Sequence, residues 1–220
     1  MLLSKHDIWP IILGVPNTIY FNFKYFKFRD ALRFPVLLSN QVWFKSAKGK
    51  VVVEKPGFAR VRIGFGDVGA FDKIRSRTIW DVKGTVVFKG DTFIGHGSKL
   101  VVSGELILGH KFRITAESVL HCSKRIVFGE DVMISWDTLF MDSDGHPIYD
   151  MSHNVCNEMK DIIVGDTVWF GCRSTILKGS QIANNTIVAA NSCVHGKYEK
   201  EYQIIGGAPA RTIKEDVTWR

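Results

Sequence analysis

The chain has 220 residues, of which 45% are hydrophobic. This suits one large domain with small extensions and excludes an intrinsically disordered chain. The longest apolar stretch, residues 9–21, is interrupted by Pro10 and Pro16. It falls short of the ~18–20 residues that span a bilayer, and no small-residue cleavage site follows it. We therefore expect a soluble, uncleaved chain.

The formal net charge of +7 would suit an anionic partner, but the basic residues are dispersed rather than gathered in one tract. Specific nucleic-acid binding is therefore not expected. The four cysteines, Cys122, Cys156, Cys172 and Cys193, lack the CxxC spacing of zinc sites. We expect free thiols in a reducing compartment, with no disulfide and no required metal.

Residues 1–50 are rich in aromatic and lysine side chains with little periodicity, as in YFNFKYFKF. They predict an irregular N-terminal cap segment that seals the open first turn of the following domain. The aromatic residues within 9–28 exceed what sealing needs. The surplus could contact an anionic membrane, so peripheral contact with the inner face of a membrane is the second interpretation of this segment.

Large apolar residues recur between residues 88 and 140 at repeated spacings of 6, 6 and 8. They are Phe88, Ile94, Leu100, Leu108, Ile114, Leu120, Phe128, Ile134 and Phe140. Small or β-branched residues stand four places after five of these, at Thr92, Ser98, Ser118, Val132 and Thr138. A six-residue unit is too short for a hairpin but fits one face of a triangular β-coil. The spacing predicts 20-residue coils in which one corner has two extra residues.

From Val164 the same unit repeats strictly every six residues. Its apolar positions are Val164, Phe170, Ile176, Ile182, Val188 and Val194, and its small positions are Val168, Ser174, Ser180, Thr186 and Ser192. Three faces then make an 18-residue coil. The pattern predicts an all-β fold, a parallel β-helix solenoid over residues 51–194, with ordinary sandwich strands as the alternative.

The repeat is interrupted between these two blocks. After Phe140 the next apolar position is due near residue 148, yet the strict hexads restart at Val164, so about sixteen residues are inserted within 141–161. The insertion contains MDSDGHPIYDMSHN. Inserted loops on a rigid scaffold commonly carry function, and His146 is the main candidate in this one.

The stretch TVWFGCRSTILKGSQIANNTIVAANSCV, followed by IIGGAPARTIK, resembles the hexapeptide-repeat acyltransferases, in particular their sugar and polysaccharide O-acetyltransferase branch. The resemblance covers about residues 84–214. It implies a left-handed parallel β-helix and a homotrimer with active sites at subunit interfaces. It also implies cytoplasmic transfer of an acetyl group from acetyl-CoA to a hydroxyl of a sugar or glycan precursor.

His146 matches the family's catalytic histidine, which lies where a coil gives way to such a loop. A neutral imidazole can take the proton of an acceptor hydroxyl near neutral pH. Its other nitrogen needs an acceptor, for which Asp144 and Asp142 are both within reach along the loop. His153, in the same loop, is the alternative base. If the loop were an ordinary exposed turn, the two aspartates would simply cap its backbone.

The resemblance also assigns CoA contacts to the last coils and to a C-terminal tail, residues 195–220. These candidates are Cys172, Ala190, His195, Lys197, Arg211 and Lys214. Cys172 and Ala190 are 18 positions apart and would stack on one ridge. Arg211 and Lys214 could pair with the CoA phosphates. After Pro209 the tail predicts a short helix, at whose end these two residues could equally be ordinary basic residues.

Two other functions fit the same repeat. One is an N-acyltransferase that acts on an amino sugar nucleotide. The other is a non-catalytic trimeric β-helix scaffold, which would share the hexads but would have no need of His146. The chain has no H-x4-H pair, which argues against the zinc carbonic anhydrases that share this fold.

Overall fold

The structure, a computed structural model, describes residues 7–220. Most of these residues form a triangular solenoid in which each coil contributes one strand to each of three faces. There are seven coils. The first three contain β1 (Val36–Leu38), β2 (Val42–Ala47) and β3 (Lys50–Val53), then β4 (Val61–Phe65), β5 (Thr78–Val82) and β6 (Thr85–Phe88), then β7 (Thr92–Gly95), β8 (Lys99–Val102) and β9 (Glu105–Leu108). The fourth and fifth contain β10 (Phe112–Ile114), β11 (Val119–Cys122) and β12 (Arg125–Phe128), then β13 (Met133–Ile134), β14 (Leu139–Met141) and β15 (Ile162–Val164). The sixth and seventh contain β16 (Trp169–Phe170), β17 (Thr175–Leu177) and β18 (Gln181–Ile182), then β19 (Thr186–Val188), β20 (Cys193–Val194) and β21 (Lys197–Tyr198). Two further strands follow, β22 (Gln203–Gly207) and β23 (Ala210–Glu215).

Strands of successive coils pair directly with one another in three sheets. Sheet A holds the first strand of every coil together with β22 and β23, sheet B holds the second strands, and sheet C holds the third. Pairing between coils is parallel, whereas β22 and β23 are antiparallel. Because each coil stacks on its neighbours in register, the place of a residue in its hexad fixes the face or corner that it occupies.

The predicted apolar positions form the core. Every one of them from Phe88 to Val194 is at most 4% exposed, and the small residues that follow are buried as well. The phenyl rings of Phe112, Phe128, Phe140 and Phe170 contact one another in turn, with centroids 4.9–5.0 Å apart. The prediction of an all-β parallel solenoid is confirmed.

The tight corners share one backbone feature: the residue before the small one is left-handed. Before nine of the ten predicted small residues φ is positive, at Gly97, Glu117, Asp131, Asp137, Thr167, Arg173, Gly179, Asn185 and Asn191. Such a residue turns the chain sharply, at a cost of roughly 1–2 kcal/mol where it is not glycine. The next side chain then lies inside the corner, where space is limited. This explains why that position is small in hexad after hexad.

The strand registers confirm both coil lengths. Phe88 pairs with Leu108, twenty positions on, whereas Val164 pairs with Ile182, eighteen positions on. The two extra residues of the longer coils lie at the corner between sheets B and C, as at residues 103–104 between β8 and β9.

The solenoid begins earlier than its spacing reveals in the sequence. Strands β1–β3 already pair in register with the second coil, so the first coil starts at Val36, inside the segment predicted as a cap, rather than at residue 51. Ile63 pairs with Ile94, thirty-one positions on. The loop of residues 66–77 accounts for the excess over twenty, and this insertion hides the period.

The segment before the solenoid is helical rather than irregular. It consists of α1 (Ile8–Leu13), α2 (Val15–Tyr25) and α3 (Phe28–Ala31). Large apolar side chains lie on both sides of these helices, so the sequence shows no helical period. The first six residues of the predicted cap lie outside the described residues. Across residues 7–220, no helix combines the length and apolar character needed to traverse a bilayer.

Helix α2 seals the first coil by satisfying the free edge of β1. The Asn22 side chain accepts from the Val36 N–H (3.3 Å) and donates to the Val36 carbonyl (2.7 Å). The Thr18 hydroxyl accepts from the Leu38 N–H (3.0 Å) and donates to the Leu38 carbonyl (3.3 Å). Phe21 is fully buried in the core beside them. The helix thus protects backbone groups that an open sheet edge would leave unpaired.

The predicted C-terminal helix is wrong. Residues Ala210–Glu215 form β23, which pairs antiparallel with β22. Without β23, the outer edge of β22 would be unpaired; β23 pairs with that edge and becomes the terminal strand of sheet A itself. Pairing of that edge outweighs the helix-start signal of Pro209, and the β-branched Thr212 and Ile213 favour a strand.

We expect Asn22→Ala to destabilise the protein, because it leaves both backbone polar groups of Val36 buried without a partner. A loss of about 1–3 kcal/mol is the scale for such a group, and denaturant unfolding followed by circular dichroism measures it. Lys24→Ala, at an exposed position of α2, is the control and should change stability by less than about 0.5 kcal/mol. Equal unfolding midpoints for both variants and the parent would refute the sealing role.

Candidate functional site

The interruption of the repeat is a loop at the corner between sheets B and C, formed by residues 142–161 between β14 and β15. Phe128 pairs with Val164, thirty-six positions on, so this coil has sixteen residues more than a coil of twenty. Within the loop, Tyr149 and Val155 form an antiparallel bridge. The insertion is therefore a small ordered hairpin, and its length equals the sixteen residues that the spacing of the apolar positions predicts.

His146 is exposed and lies just before this hairpin. The Asn157 amide donates to the His146 carbonyl (2.9 Å) and to Asp144 Oδ2 (2.7 Å), and Asn157 Oδ1 accepts from the Ile148 N–H (2.6 Å). Within the described chain, no side chain or backbone group hydrogen-bonds to the imidazole ring of His146. The backbone is thus fixed while both ring nitrogens remain available to a ligand.

Asp144 takes part in fastening the loop rather than in orienting the ring. Its carboxylate accepts a hydrogen bond from Lys178 Nζ (2.6 Å), and the same ammonium group donates to the Asn157 carbonyl (2.9 Å). The hydrogen bond from Lys178, together with that from Asn157, lowers the pKa of Asp144 below its ordinary value. Lys178 follows β17, so these contacts attach the loop to the next coil. No spacing pattern marks Lys178 or Asn157 in the sequence, and sequence reasoning misses both.

Asp142 has a different set of partners. Its buried carboxylate accepts three hydrogen bonds of 2.7–2.8 Å from the backbone N–H groups of residues 123–125. At the same corner two coils earlier, the N–H groups of residues 83–85 bond to carbonyls of the following coil. That corner is missing where the loop departs, and Asp142 supplies the acceptors instead. The structure therefore gives Asp142 backbone contacts in place of a contact with His146.

The other loop histidine, His153, lies at the turn of the hairpin. Its φ is +61° and its N–H donates to the Asp150 carbonyl (3.0 Å). The Asp150 carboxylate accepts from the N–H groups of Asn154 (2.9 Å) and Ser152 (2.8 Å). These two hydrogen bonds lower the pKa of Asp150 below its ordinary value, and the bond from Asn154 has the larger effect. The contacts are those of an aspartate-capped turn, and the bridge between Tyr149 and Val155 lies between this turn and His146 along the loop.

A basic depression of about 530 Å³ lies beside the loop, where sheet C meets sheet B. Its charged and titratable lining residues are Lys124, Lys160, Asp161, Lys178, His195 and Lys197. Two predicted CoA residues, His195 and Lys197, thus share a depression with the lysine that holds Asp144. The excess of cations suits a ligand that carries phosphate or carboxylate groups.

Cys172 and Ala190 stack on adjacent coils at the corner between sheets A and B, as their spacing predicts. The Asn191 N–H donates to the Cys172 carbonyl (2.9 Å). Gly171 permits this close approach, because a Cβ there would lie 2.5 Å from the Ala190 backbone nitrogen. The corner therefore presents a ridge of small side chains.

Arg211 and Lys214 are exposed on β23, the last strand of sheet A. Arg211 pairs with Gly206 across the hairpin. The neighbouring Gly207 N–H donates to Ser192 Oγ (3.3 Å), which links the hairpin to the corner between sheets A and B. The structure thus brings Arg211 to the end of the ridge that carries Cys172 and Ala190.

Sheet B separates the predicted residues into two groups. The ridge and Arg211 lie on one side of it, and the loop with His146, His195 and Lys197 lies on the other. One hexad face of six residues separates the two corners, a distance of up to about 20 Å at 3.3 Å per residue. The chain does not bring its own loop and its own ridge into contact.

A second depression, of about 380 Å³, lies on the outer face of sheet A. No pattern in the sequence predicts it. Its charged lining residues are Arg60, Arg62, Asp91, Lys111, Arg113, Asp131 and Arg220. Arg60 pairs with Asp91 (3.0 Å) and Arg220 with Asp131 (2.5 Å). This face is on the opposite side of the solenoid from the loop, so we do not include it in the site.

The chain is similar to two curated proteins that share one function. It is 32% identical over 132 residues to a polysialic acid O-acetyltransferase of Escherichia coli O1:K1 / APEC, a match covering 60% of this chain and 41% of that protein. It is 34% identical over 96 residues to a polysialic acid O-acetyltransferase of Neisseria meningitidis, covering 43% and 45% of the two chains. The chain therefore spans less than half the length of these two relatives.

A solved structure agrees with the fold. The polySia specific acetyltransferase NeuO matches with a TM-score of 0.53 and 23% identity, covering 83% of this chain and 74% of that one. No family model matches the chain. The predicted resemblance to hexapeptide-repeat acetyltransferases is confirmed. The left-handed parallel β-helix that it implies is confirmed with it.

The described residues contain no group of three or more His, Cys, Asp or Glu side chains placed to hold a metal ion. The four cysteines are not joined in disulfides in this structure. Burial, with the charge of Asp142 as a smaller cause, raises the pKa of Cys122 far above its ordinary value. Cys122 is therefore a core residue rather than a reactive thiol.

Asp142→Asn should test the structural role of this carboxylate. The amide nitrogen of asparagine would face backbone N–H groups that need acceptors, so we expect a loss of about 1.5–3 kcal/mol, the scale of a hydrogen bond to a charged group. Denaturant unfolding measures the loss. Asp144→Asn, at an exposed position, is the matched control and should shift stability by less than about 0.5 kcal/mol. A fully stable Asp142→Asn protein would contradict the backbone role.

Proposed function

We propose that the chain is an O-acetyltransferase that moves an acetyl group from acetyl-CoA to a hydroxyl of a sugar or surface-polysaccharide precursor. The observation that supports this most strongly is the exposed imidazole of His146, held by its backbone on a loop that is pinned to a rigid solenoid. The names of the two curated relatives support the reaction and the class of acceptor.

The chemistry is a direct transfer. A ring nitrogen of His146 accepts the proton of the acceptor hydroxyl, and the oxygen attacks the thioester carbonyl of the donor. The tetrahedral intermediate collapses with cleavage of the carbon–sulfur bond, and the imidazolium returns the proton to the departing thiolate. The products are the acetyl ester and free CoA, and the histidine is regenerated without a covalent enzyme intermediate.

Asp144 serves this reaction as a positioning residue. Its pairing with Lys178 and Asn157 fixes the backbone around His146. A base must lie within about 3 Å of the proton that it removes, so a displaced loop would slow the transfer. The acceptor for the second ring nitrogen is then a substrate group, a water molecule or a group from another copy, since Asp144 and Asp142 have other partners.

The donor would use both groups of predicted CoA residues. The small side chains of Cys172 and Ala190 leave room for a pantetheine chain along the ridge, and Gly171 keeps the backbone close. Arg211 and Lys214 offer exposed cations to the CoA phosphates. His195 and Lys197 belong to the basic depression, which suits the phosphates of the donor or an acidic sugar of the acceptor.

Assembly as a homotrimer would complete the site. The loop with His146 and the ridge lie on different corners of one chain, so a loop can meet a ridge only across a boundary between copies. A closed ring places every loop against the ridge of the next copy. Because acyl-CoA donors belong to the cytoplasm, we place the activity there.

His146→Ala should lower turnover by about 10²–10⁴-fold, the usual contribution of a general base, while the unfolding midpoint and CoA binding stay unchanged. Release of free thiol from acetyl-CoA in the presence of sugar acceptors measures turnover. His153→Ala is the control and should retain activity. If His146→Ala keeps full turnover, the base is elsewhere and His153 becomes the candidate. Transfer to amino sugars alone would favour N-acylation, and no transfer to any acceptor would favour a scaffold.

Arg211→Ala should raise the KM for acetyl-CoA with little change in kcat, because a contact to the CoA phosphates is equal in the ground and transition states. The expected loss is about 1.5–3 kcal/mol, or roughly 10- to 150-fold in kcat/KM. An acetyl-pantetheine donor, which lacks these phosphates, is the control, and the variant should use it as well as the parent does. Equal impairment with both donors would make Arg211 a purely structural residue.

A further inference from the structure

The N-terminal helices expose a continuous apolar surface that sealing does not require. We define the apolar end face by its side chains, which are each 41–69% exposed: Ile8, Trp9, Ile12, Leu13, Val15, Ile19, Tyr20 and Phe23. Residues 8–23 contain no Asp, Glu, Lys or Arg. A helix that is apolar on its outer side as well as its inner side is normally covered on both.

The inner side of the helices already accounts for the seal. Gly14, Thr18, Phe21 and Asn22 are buried against the first coil, and an added Cβ at Gly14 would overlap the backbone of that coil. The apolar end face points away from this inner side, since α2 lies on the free edge of β1. Only at its border do Tyr20, against Phe44, and Phe23, against Phe28 and Phe34, also make ring contacts within the described chain, with centroids 5.1–6.4 Å apart. It therefore forms the N-terminal end surface of the solenoid.

Basic side chains border the apolar end face where α2 ends. Lys24, Lys27, Arg29 and Arg33 are all exposed. Between residues 8 and 33 the single acidic residue is Asp30, and it pairs with Arg33 (3.8 Å). The border therefore has an unbalanced positive charge directly beside an uncharged apolar surface.

We propose that the apolar end face binds an anionic lipid surface. Its indole and phenol side chains, Trp9 and Tyr20, are of the type that lies at membrane interfaces, and Lys24, Lys27 and Arg29 would meet lipid phosphates. A second copy of the chain fits less well. A two-fold pairing of this face would bring two basic borders together or leave each without an acidic partner.

The position of the apolar end face relative to the loop with His146 indicates what a membrane contact would serve. This step rests on the proposed function. The loop with His146 leaves the fifth coil, four coil spacings of about 4.8 Å from the first. The helices on the first coil add about one helix diameter, roughly 10 Å, so the site would lie about 30 Å from the lipid headgroups. In a closed ring whose axis follows the solenoids, all end faces lie on the same side. Such an assembly suits an acceptor glycan that is carried on a membrane lipid.

Vesicle flotation tests the proposal with three sets of substitutions. The apolar variant carries Trp9→Gln, Ile12→Gln and Leu13→Gln, and the charge variant carries Lys24→Gln, Lys27→Gln and Arg29→Gln. The control variant carries Phe58→Gln and Ile74→Gln, which remove two apolar side chains that are 74% and 85% exposed elsewhere. Vesicles of phosphatidylglycerol with phosphatidylethanolamine are compared with vesicles of phosphatidylcholine.

We expect the parent and the control variant to float with the anionic vesicles, and the apolar and charge variants each to bind at least about tenfold more weakly. Unchanged unfolding midpoints confirm that the variants fold. Binding of the parent to neither vesicle, or to both equally, would overturn the proposal. So would a smaller oligomer for the apolar variant together with unchanged flotation, because the face would then join copies. Flotation without acetyl transfer would refute the proposed function alone.

Discussion

The left-handed residue found at nine of the ten predicted tight corners is the constraint on which the rest of this structure depends. It limits each face of the solenoid to six residues. This constant length determines which side chains of every hexad point into the core. Asp131, Asn185 and Asn191 use residue types that tolerate positive φ, whereas Thr167 and Arg173 do not. Their strain persists because the stacked apolar residues of seven coils over-determine the corner.

Within the strands this register tolerates only local irregularities, at Phe44–Ser46 and Ile63–Phe65 in the first two coils, so a long insertion leaves the solenoid at a corner. The loop after β14 does so where the longer coils already have a wider turn. Its departure removes the carbonyls that would pair with residues 123–125, and Asp142 replaces them. Lys178 and Asn157 then hold the loop that has departed. The loop is thus fixed by contacts that repair the interruption itself.

Periodicity explains which features could be predicted from the sequence. The spacing of apolar residues predicts the core positions from Phe88 to Val194, both coil lengths and the size of the insertion. It does so because every hexad meets the same packing requirement, so the pattern recurs many times. The first coil is hidden by the insertion at residues 66–77. The helix α2 is hidden because its apolar side chains lie on both faces. Contacts between individual residues, such as Lys178 with Asp144, do not recur at a fixed spacing, so the sequence pattern cannot predict them.

A solenoid has two ends, and each end is an open edge of three sheets. At the C-terminal end the antiparallel β23 covers the edge of β22, so the segment that Pro209 predicted as a helix becomes a strand. At the N-terminal end helix α2 pairs its polar side chains with β1 and buries Phe21. A helix that closes a sheet edge needs one suitable face. On the second apolar face of α1 and α2, Tyr20 still contacts Phe44 of the first coil. Trp9, Ile12 and Leu13 are more than half exposed, and closure of the sheet edge gives these three side chains no partner.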